Sequence, residues 1–204
     1  MFEPIARGGI VMIPLFLCSI IALLVAVERW LYLRHAKVDT PKLMSKIRAA
    51  LDRGSREEAR GVCEATPGPV ARVLGATLTN FDMPKEDLRE VAREMALAEQ
   101  PVLDGHLSVL ATMVTVAPLL GLLGTISGLI KVFRVIAGGD IGNAAALSGG
   151  IAEALITTFT GLCIAIPFLV VYNGLSGRVE TLTHEIELRV TELLNLQTKN
   201  GARA

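Results

Sequence analysis

The chain lacks charge over three long stretches. Of its 204 residues 20% are charged, yet none falls in 8–27 (20 positions) or in 107–130 and 154–177 (24 positions each). An α-helix rises about 1.5 Å per residue, so about 20 apolar residues cross the roughly 30 Å hydrocarbon core of a bilayer. Three such runs exclude a soluble enzyme. Net charge is missing too: 20 basic against 20 acidic residues give +0, and nothing overall points to nucleic acid. Cysteine is scarce. Cys18, Cys63 and Cys163 form no C-x-x-C spacing, which argues against a disulfide framework or a metal site, and they read as small apolar fillers. The three histidines, His35, His106 and His184, lie outside or at the borders of the runs, and no paired aspartates occur inside them. An intramembrane enzyme therefore has no evident nucleophile, base or ligand set, and no cofactor is expected. A strand pattern of any length is also absent.

What remains is 51% hydrophobic and predicts an all-α integral membrane protein with three transmembrane helices, a helical cytoplasmic insertion and an amphipathic C-terminal helix. A cleavable signal peptide is the rival reading of the first run. Against it, only Arg7 precedes the run, the run is long, and it ends in Glu28-Arg29-Trp30 without a small-residue cleavage site. Lysine and arginine set the orientation. Arg29, Arg34, Lys37, Lys42, Lys46 and Arg48 follow the first run, so that side is expected to be cytoplasmic. The expected layout is an external N-terminus (1–7), a first span (8–33), a cytoplasmic helical domain (34–106) and a second span (107–130). An external loop (131–150), a third span (151–177) and a cytoplasmic helix (178–204) complete it. Lys131 and Arg134 in the external loop depart mildly from the rule. Trp30, Tyr32 and Tyr172 suit an interfacial belt.

Within 34–106, Thr40-Pro41 reads as an N-cap followed by proline at the first helical position, with Leu43, Ile47, Ala50 and Leu51 on one face and Gly54 as the end. Ser55 and Glu58 have capping-box spacing for a second short helix, which Thr66-Pro67-Gly68-Pro69 breaks. Asp82 and Pro84 open a third, with Leu88, Val91, Met95 and Ala98 as its apolar face and Pro101 as a kink or break before the second span. In the tail, Val179, Leu182, Ile186, Val190, Leu193 and Leu194 form a stripe that needs a partner helix, from this chain or a neighbouring copy.

Small and polar residues inside the spans are the candidate functional set. Gly121, Gly124 and Gly128, the last two in G-x-x-x-G spacing, let helices approach closely, and Pro118, Gly161 and Pro167 complete the candidate packing positions. The third span opens with Glu153, Thr157, Thr158 and Thr160. An intramembrane carboxylate usually faces a bundle interior or a wet cavity; the plainer reading is a headgroup-level residue paired with Lys131. Thr125 lies about 9 Å inward of Lys131, and Thr158 about 7.5 Å inward of Glu153 on a helix running the other way. The two hydroxyls should share one depth. Threonine also bonds readily to its own helix's carbonyls, so each alone reads as structural. By helical angle Glu153, Thr157 and Thr160 share a face while Thr158 lies about 140° from Glu153. Either the helix is distorted or two faces are polar for different reasons.

The blocks "APLLGLLGT" in the second span, "GIAEAL" followed by threonine and glycine, then "AIP" and "YN" in the third, resemble the MotA/TolQ/ExbB proton channel family. The resemblance covers nearly the whole chain. Three spans are more similar to ExbB and TolQ than to four-span MotA, and the opening "GGIVMIPLFLCSIIALLVAVERW" resembles short ExbB-type proteins most. The resemblance implies an inner-membrane homo-oligomer, a pentamer, in the lipid bilayer around an ExbD-like single-span partner carrying an essential membrane aspartate. Proton flow through that assembly would drive a TonB-like protein acting on the outer membrane. It also implies pore-lining roles for Thr125, Glu153 and Thr158. Related sequences usually have small or apolar residues where Thr157 and Thr160 stand, so which threonine faces the lumen stays open. A TolQ-like or MotA-like stator for another process, or a non-conducting scaffold, are the alternatives.

Overall fold

The computed structural model describes residues 8–139 and 143–201, and every regular element among them is an α-helix. In chain order these are α1 (Met12–Ala36), α2 (Thr40–Asp52), α3 (Arg56–Glu64), α4 (Pro69–Thr79), α5 (Lys85–Asp104), α6 (Leu107–Ala137) and α7 (Ala144–Gly201). The chain divides into two compact units. One comprises Met1–Glu28 with His106–Gly174, the other Arg29–Gly105 with Leu175–Ala204. The expected external segment 1–7 lies outside the described residues.

The first unit is built from three helices long and apolar enough to cross a membrane. Its large apolar side chains point outward: Ile13, Phe16, Leu24, Leu119, Leu123, Phe159, Ile166 and Val170 are all exposed. Its interior favours small residues, with Ala22, Ala26, Ala117 and Ala165 buried. A water-soluble bundle would reverse this. Lipid tails are as apolar as leucine, so burying large side chains gains little, and close packing of small residues holds the helices instead. Met12 and Leu15 of α1 meet Ala117 and Ala165 in the central cluster, flanked by Val11, Leu120 and Ile164.

Three features of this unit differ from expectation. The stretch 131–150, expected as a loop, is helical at both ends, because α6 continues to Ala137 and α7 begins at Ala144. The first helix begins at Met12 and runs on to Ala36. The amphipathic C-terminal helix is not separate from the third span: α7 is one helix of 58 residues. Gly174 and Gly177 lie within it, each at ordinary helical dihedrals, so neither stops it.

In the second unit α2 packs on α3, α3 on α4 and α4 on α5. The N-cap of α2 is Asp39, whose carboxylate accepts from Lys42 N at 3.1 Å, while Thr40 is the first helical residue. Asp39 wins because a carboxylate caps as well as a threonine hydroxyl and Thr40 is engaged elsewhere, donating to Glu185 at 3.3 Å. Gly54 ends the helix at φ +75°, a left-handed conformation natural to glycine. Ser55 caps α3 by accepting from Glu58 N at 3.3 Å; the Glu58 carboxylate turns to Arg53 at 2.5 Å. The proline pair does end α3, but it also starts a helix not expected from the sequence. Pro69 opens α4, where its fixed φ suits the first turn and its missing N–H is no loss. Val70, Val73, Leu74 and Leu78 of α4 are buried.

The buried line of α5 also differs. Leu88 is buried, but Val91 is half-buried and Met95 and Ala98 are exposed; Ala92 and Leu103 are the buried partners. Glu99, half-buried on α5, holds Arg72 of α4 through two bonds of 2.7 and 2.6 Å, so a charged residue breaks up the inward stripe. Pro101 stays inside α5, and the break falls at Gly105, whose φ is +44°. There the buried Arg29 guanidinium occupies the space a Cβ would need and donates to Val102 O at 3.1 Å, serving one of the carbonyls left over at the helix end.

The tail stripe finds its partner within the same chain. Val179, Leu182, Ile186, Leu193 and Leu194 are buried, Val190 is half-buried, and Leu193 is fully enclosed. Arg48 meets Glu192 at 2.9 Å, and Gln197 donates to Phe81 O and Met83 O at 2.8 Å each. These polar contacts set position; burial supplies most of the energy.

Ile47 is 0% exposed. Ile47→Ala is expected to cost about 2–5 kcal/mol, read as a lower midpoint of thermal unfolding in detergent. Burial, with Glu64 beside it, pushes the Cys63 thiol up to about 11. The thiolate is then rare at pH 8, and Cys63 should react with iodoacetamide only after unfolding. Because the folded value lies above the unfolded one, this stabilisation is present below the ordinary thiol range and fades as pH rises towards 11. Unfolding followed from pH 8 to 11 in wild type and Cys63→Ala should converge at the alkaline end.

Candidate functional site

α6 and α7 meet along their smallest residues. Gly121, Gly124 and Gly128 of α6 are buried, as are Gly150, Ala154, Thr157 and Gly161 of α7. A Cβ on Gly121 would stand 3.1 Å from Thr157 O, and one on Gly161 would stand 2.6 Å from Ala117 O. On Gly128 it would lie 2.5 Å from Gly150 O and 2.9 Å from the Ala154 Cβ. On Gly124 it would overlap the Thr157 side chain. The backbones therefore approach to a distance that only glycine permits. Of the other candidate packing positions, Pro118 is half-buried within α6 and Pro167 exposed within α7.

This approach brings two hydroxyls together. Thr125 Oγ1 and Thr158 Oγ1 are hydrogen-bonded across the two helices. Thr158 also reaches Gly121 O at 3.1 Å, and Thr125 reaches Gly121 O and Ala154 O at 3.4 Å each. Both threonines are half-buried, so the pair sits at the rim of the crossing. Thr157 lies differently. It is 0% exposed, wedged against Gly124, and its hydroxyl donates to Glu153 O at 2.9 Å or Ala154 O at 3.0 Å. Thr160 is half-buried and donates to Ile156 O at 2.8 Å on its own helix. The two polar faces of α7 are thus polar for different reasons, Thr157 packing into α6 and Thr158 pairing at its edge.

Glu153 is 8% exposed, and its two oxygens each accept from Lys131 Nζ at 2.6 Å. Lys131 is half in the open, with 52% of its side chain exposed, so the pair is enclosed at Glu153 and open at Lys131. Gly9, at φ +67°, lies directly against the Glu153 carboxylate, where a Cβ would collide with it. Lys131 is the partner that the plainer of the two readings of the sequence gives Glu153; Gly9 is in neither, and its signal is the Gly8-Gly9 pair ahead of α1. Gly150 and Ala154 are further contact positions, and their spacing with Thr157 and Gly161 mirrors the small-residue row of α6. Among the described residues no three His, Cys, Asp or Glu side chains converge as a metal site would require. What the arrangement offers is a pair of hydroxyls able to exchange protons and, further along α7, a carboxylate with an ammonium beside it.

These features define a multi-pass all-helical membrane protein whose second and third spans cross on glycine and carry a threonine pair and a buried carboxylate. The model of the MotA/TolQ/ExbB proton channel family matches residues 65–188, and the chain belongs to that family. It is 34% identical over 180 residues to an ExbB-like protein of Synechocystis sp., covering 86% of this chain and 70% of the relative. It is 28% identical over 187 residues to an ExbB homolog of Methanothermobacter thermautotrophicus, covering 91% of this chain and 66% of the relative. It is 29% identical over 184 residues to the Tol-Pal system protein TolQ of Pseudomonas aeruginosa, covering 85% and 80% respectively. Within the family the chain is most like ExbB, and it is an inner-membrane protein.

Thr125→Val keeps the side chain's shape and removes one partner of the hydroxyl bridge. It should cost about 0.5–1.5 kcal/mol in thermal unfolding in detergent. Gly128→Val, which forces a branched side chain onto Gly150 and Ala154, should prevent recovery of folded protein altogether.

Proposed function

We propose that this chain is an ExbB-like subunit of a proton-driven motor. In this reading a homo-oligomer, a pentamer, surrounds a single-span partner of ExbD type that carries a membrane aspartate. The complex energises a TonB-like protein for transport across the outer membrane. The N-terminus and the segment 138–143 between α6 and α7 then face the periplasm, and the helical insertion (34–106) and the C-terminal end of α7 face the cytoplasm. Support comes from the Thr125–Thr158 bridge, two oxygens held together by the glycine crossing and half-open at its rim, which the proposed assembly would repeat around an axis. Glu153, one and a half helical turns away on α7, stands at the outer mouth, and Lys131 holds it in place. Thr157 is a packing residue in this reading, because its side chain is fully enclosed. One elementary charge crossing 100 mV releases about 2.3 kcal/mol, enough to bias a rearrangement of packed helices. Heavier work needs several protons per stroke.

The ion pair also supports a second reading, in which Glu153 is structural and the complex does not conduct through it. Proton uptake into liposomes holding this chain with its single-span partner separates the two. Thr158→Val and Glu153→Gln are each expected to lower uptake by at least about tenfold while the complex still assembles. Lys131→Gln with Glu153→Gln removes both charges and leaves neither bare. If that double variant conducts like the wild type, the pathway role of Glu153 is wrong.

A further inference from the structure

We propose that a groove in the second unit, between the last two turns of α1 and residues 178–185 of α7, binds the headgroup of an anionic phospholipid. The groove encloses about 450 Å³ and is lined by Trp30, Arg34, Lys37, Arg178, Thr181 and Glu185 above a floor of Leu33 and Leu182. Three cations and one acid line it. Glu185 already accepts from Thr40 at 3.3 Å. Among the described residues Arg34, Lys37 and Arg178 have no carboxylate within ion-pair distance, although most guanidinium groups of this unit have one. Arg34 instead lies over the Trp30 ring, 5.2 Å from its centroid, which leaves guanidinium edges free to donate. Clustered, unpaired cations in a concave site match the charge and donor demands of a phosphodiester.

The position along the chain identifies the phosphodiester as a lipid's. Arg178 directly follows the third charge-free run, which ends at Gly177, and Trp30 comes three residues after the first ends at Val27. Tryptophan at such a boundary belongs at headgroup depth. Beside the groove on α1, Trp30 and Leu31 are exposed, a short apolar track on which the start of an acyl chain can lie. Basic pockets between helices at a membrane boundary hold anionic headgroups by the same means. A soluble phosphate compound would match the cations but has no use for the track.

The full-length protein, purified in detergent and offered dioleoylphosphatidylglycerol and dioleoylphosphatidylcholine together, provides the test by native mass spectrometry. Phosphatidylglycerol should be retained in preference. Arg34→Gln with Arg178→Gln should cut that retention by about tenfold or more. Arg89→Gln with Arg93→Gln removes the same charge from exposed positions on α5 and should leave retention unchanged. Equal loss from both pairs would reduce the effect to net charge and overturn the proposal. So would equal retention of the two lipids, or displacement of phosphatidylglycerol by inorganic phosphate alone. If the groove variant does not fold, the wild type still decides: phosphatidylglycerol must raise its melting temperature more than phosphatidylcholine does, and identical shifts would end the proposal.

Discussion

The glycine contact between α6 and α7 is the constraint from which the membrane unit follows. Helices side by side in lipid gain almost nothing from hiding leucine, so their association rests on van der Waals contact at short range and on the few polar bonds that short range permits. Gly121, Gly124 and Gly128 facing Gly150, Ala154 and Gly161 provide that range. Once the backbones are this close, Thr125 and Thr158 reach each other and a carbonyl of the opposite helix, Ala154 O and Gly121 O respectively, and Lys131 stands over Glu153. The polar site is a product of the packing. A bulkier crossing would leave the same side chains too far apart to interact.

The second unit obeys the opposite solvent. Its helices bury leucine, isoleucine and valine and expose charge, as expected of a fold in water, and α7 contributes a buried stripe to it. The same helix thus presents small residues inward in one segment and large ones in the other. Its composition changes near Gly177 although its backbone does not. A solitary arginine, Arg29, closes the end of α5 from inside the unit, and cations over Tyr32 and Phe81 add local fixings.

The spans were legible because an absence of charge over 20 or more residues has one physical explanation. The equal depth of Thr125 and Thr158 was legible too, since helix rise is fixed and the two helices run in opposite directions. What could not be read depended on neighbours. α4 is hidden in the sequence because proline stops one helix and, at Pro69, also starts the next. The inward face of α5 was misplaced because Glu99 lies half-buried and satisfied by Arg72, and periodicity counts only apolar residues. Pro101 looked like the break, yet Gly105 carries the backbone conformation that makes one. The role of Thr157 was undecidable from helical angles, since the same face serves a lumen or a glycine notch equally well.

The threonine bridge contains two hydrogens and more oxygens than they can serve. If Thr125 donates to Thr158, then Thr158 donates to Gly121 O; if Thr158 donates to Thr125, then Thr125 turns to Gly121 O or Ala154 O. Both arrangements use the same heavy-atom positions and differ only in rotation about two C–O bonds. The bridge therefore has a polarity that the scaffold leaves unassigned. Reversing it turns a small dipole end for end at the rim of the crossing without moving either helix.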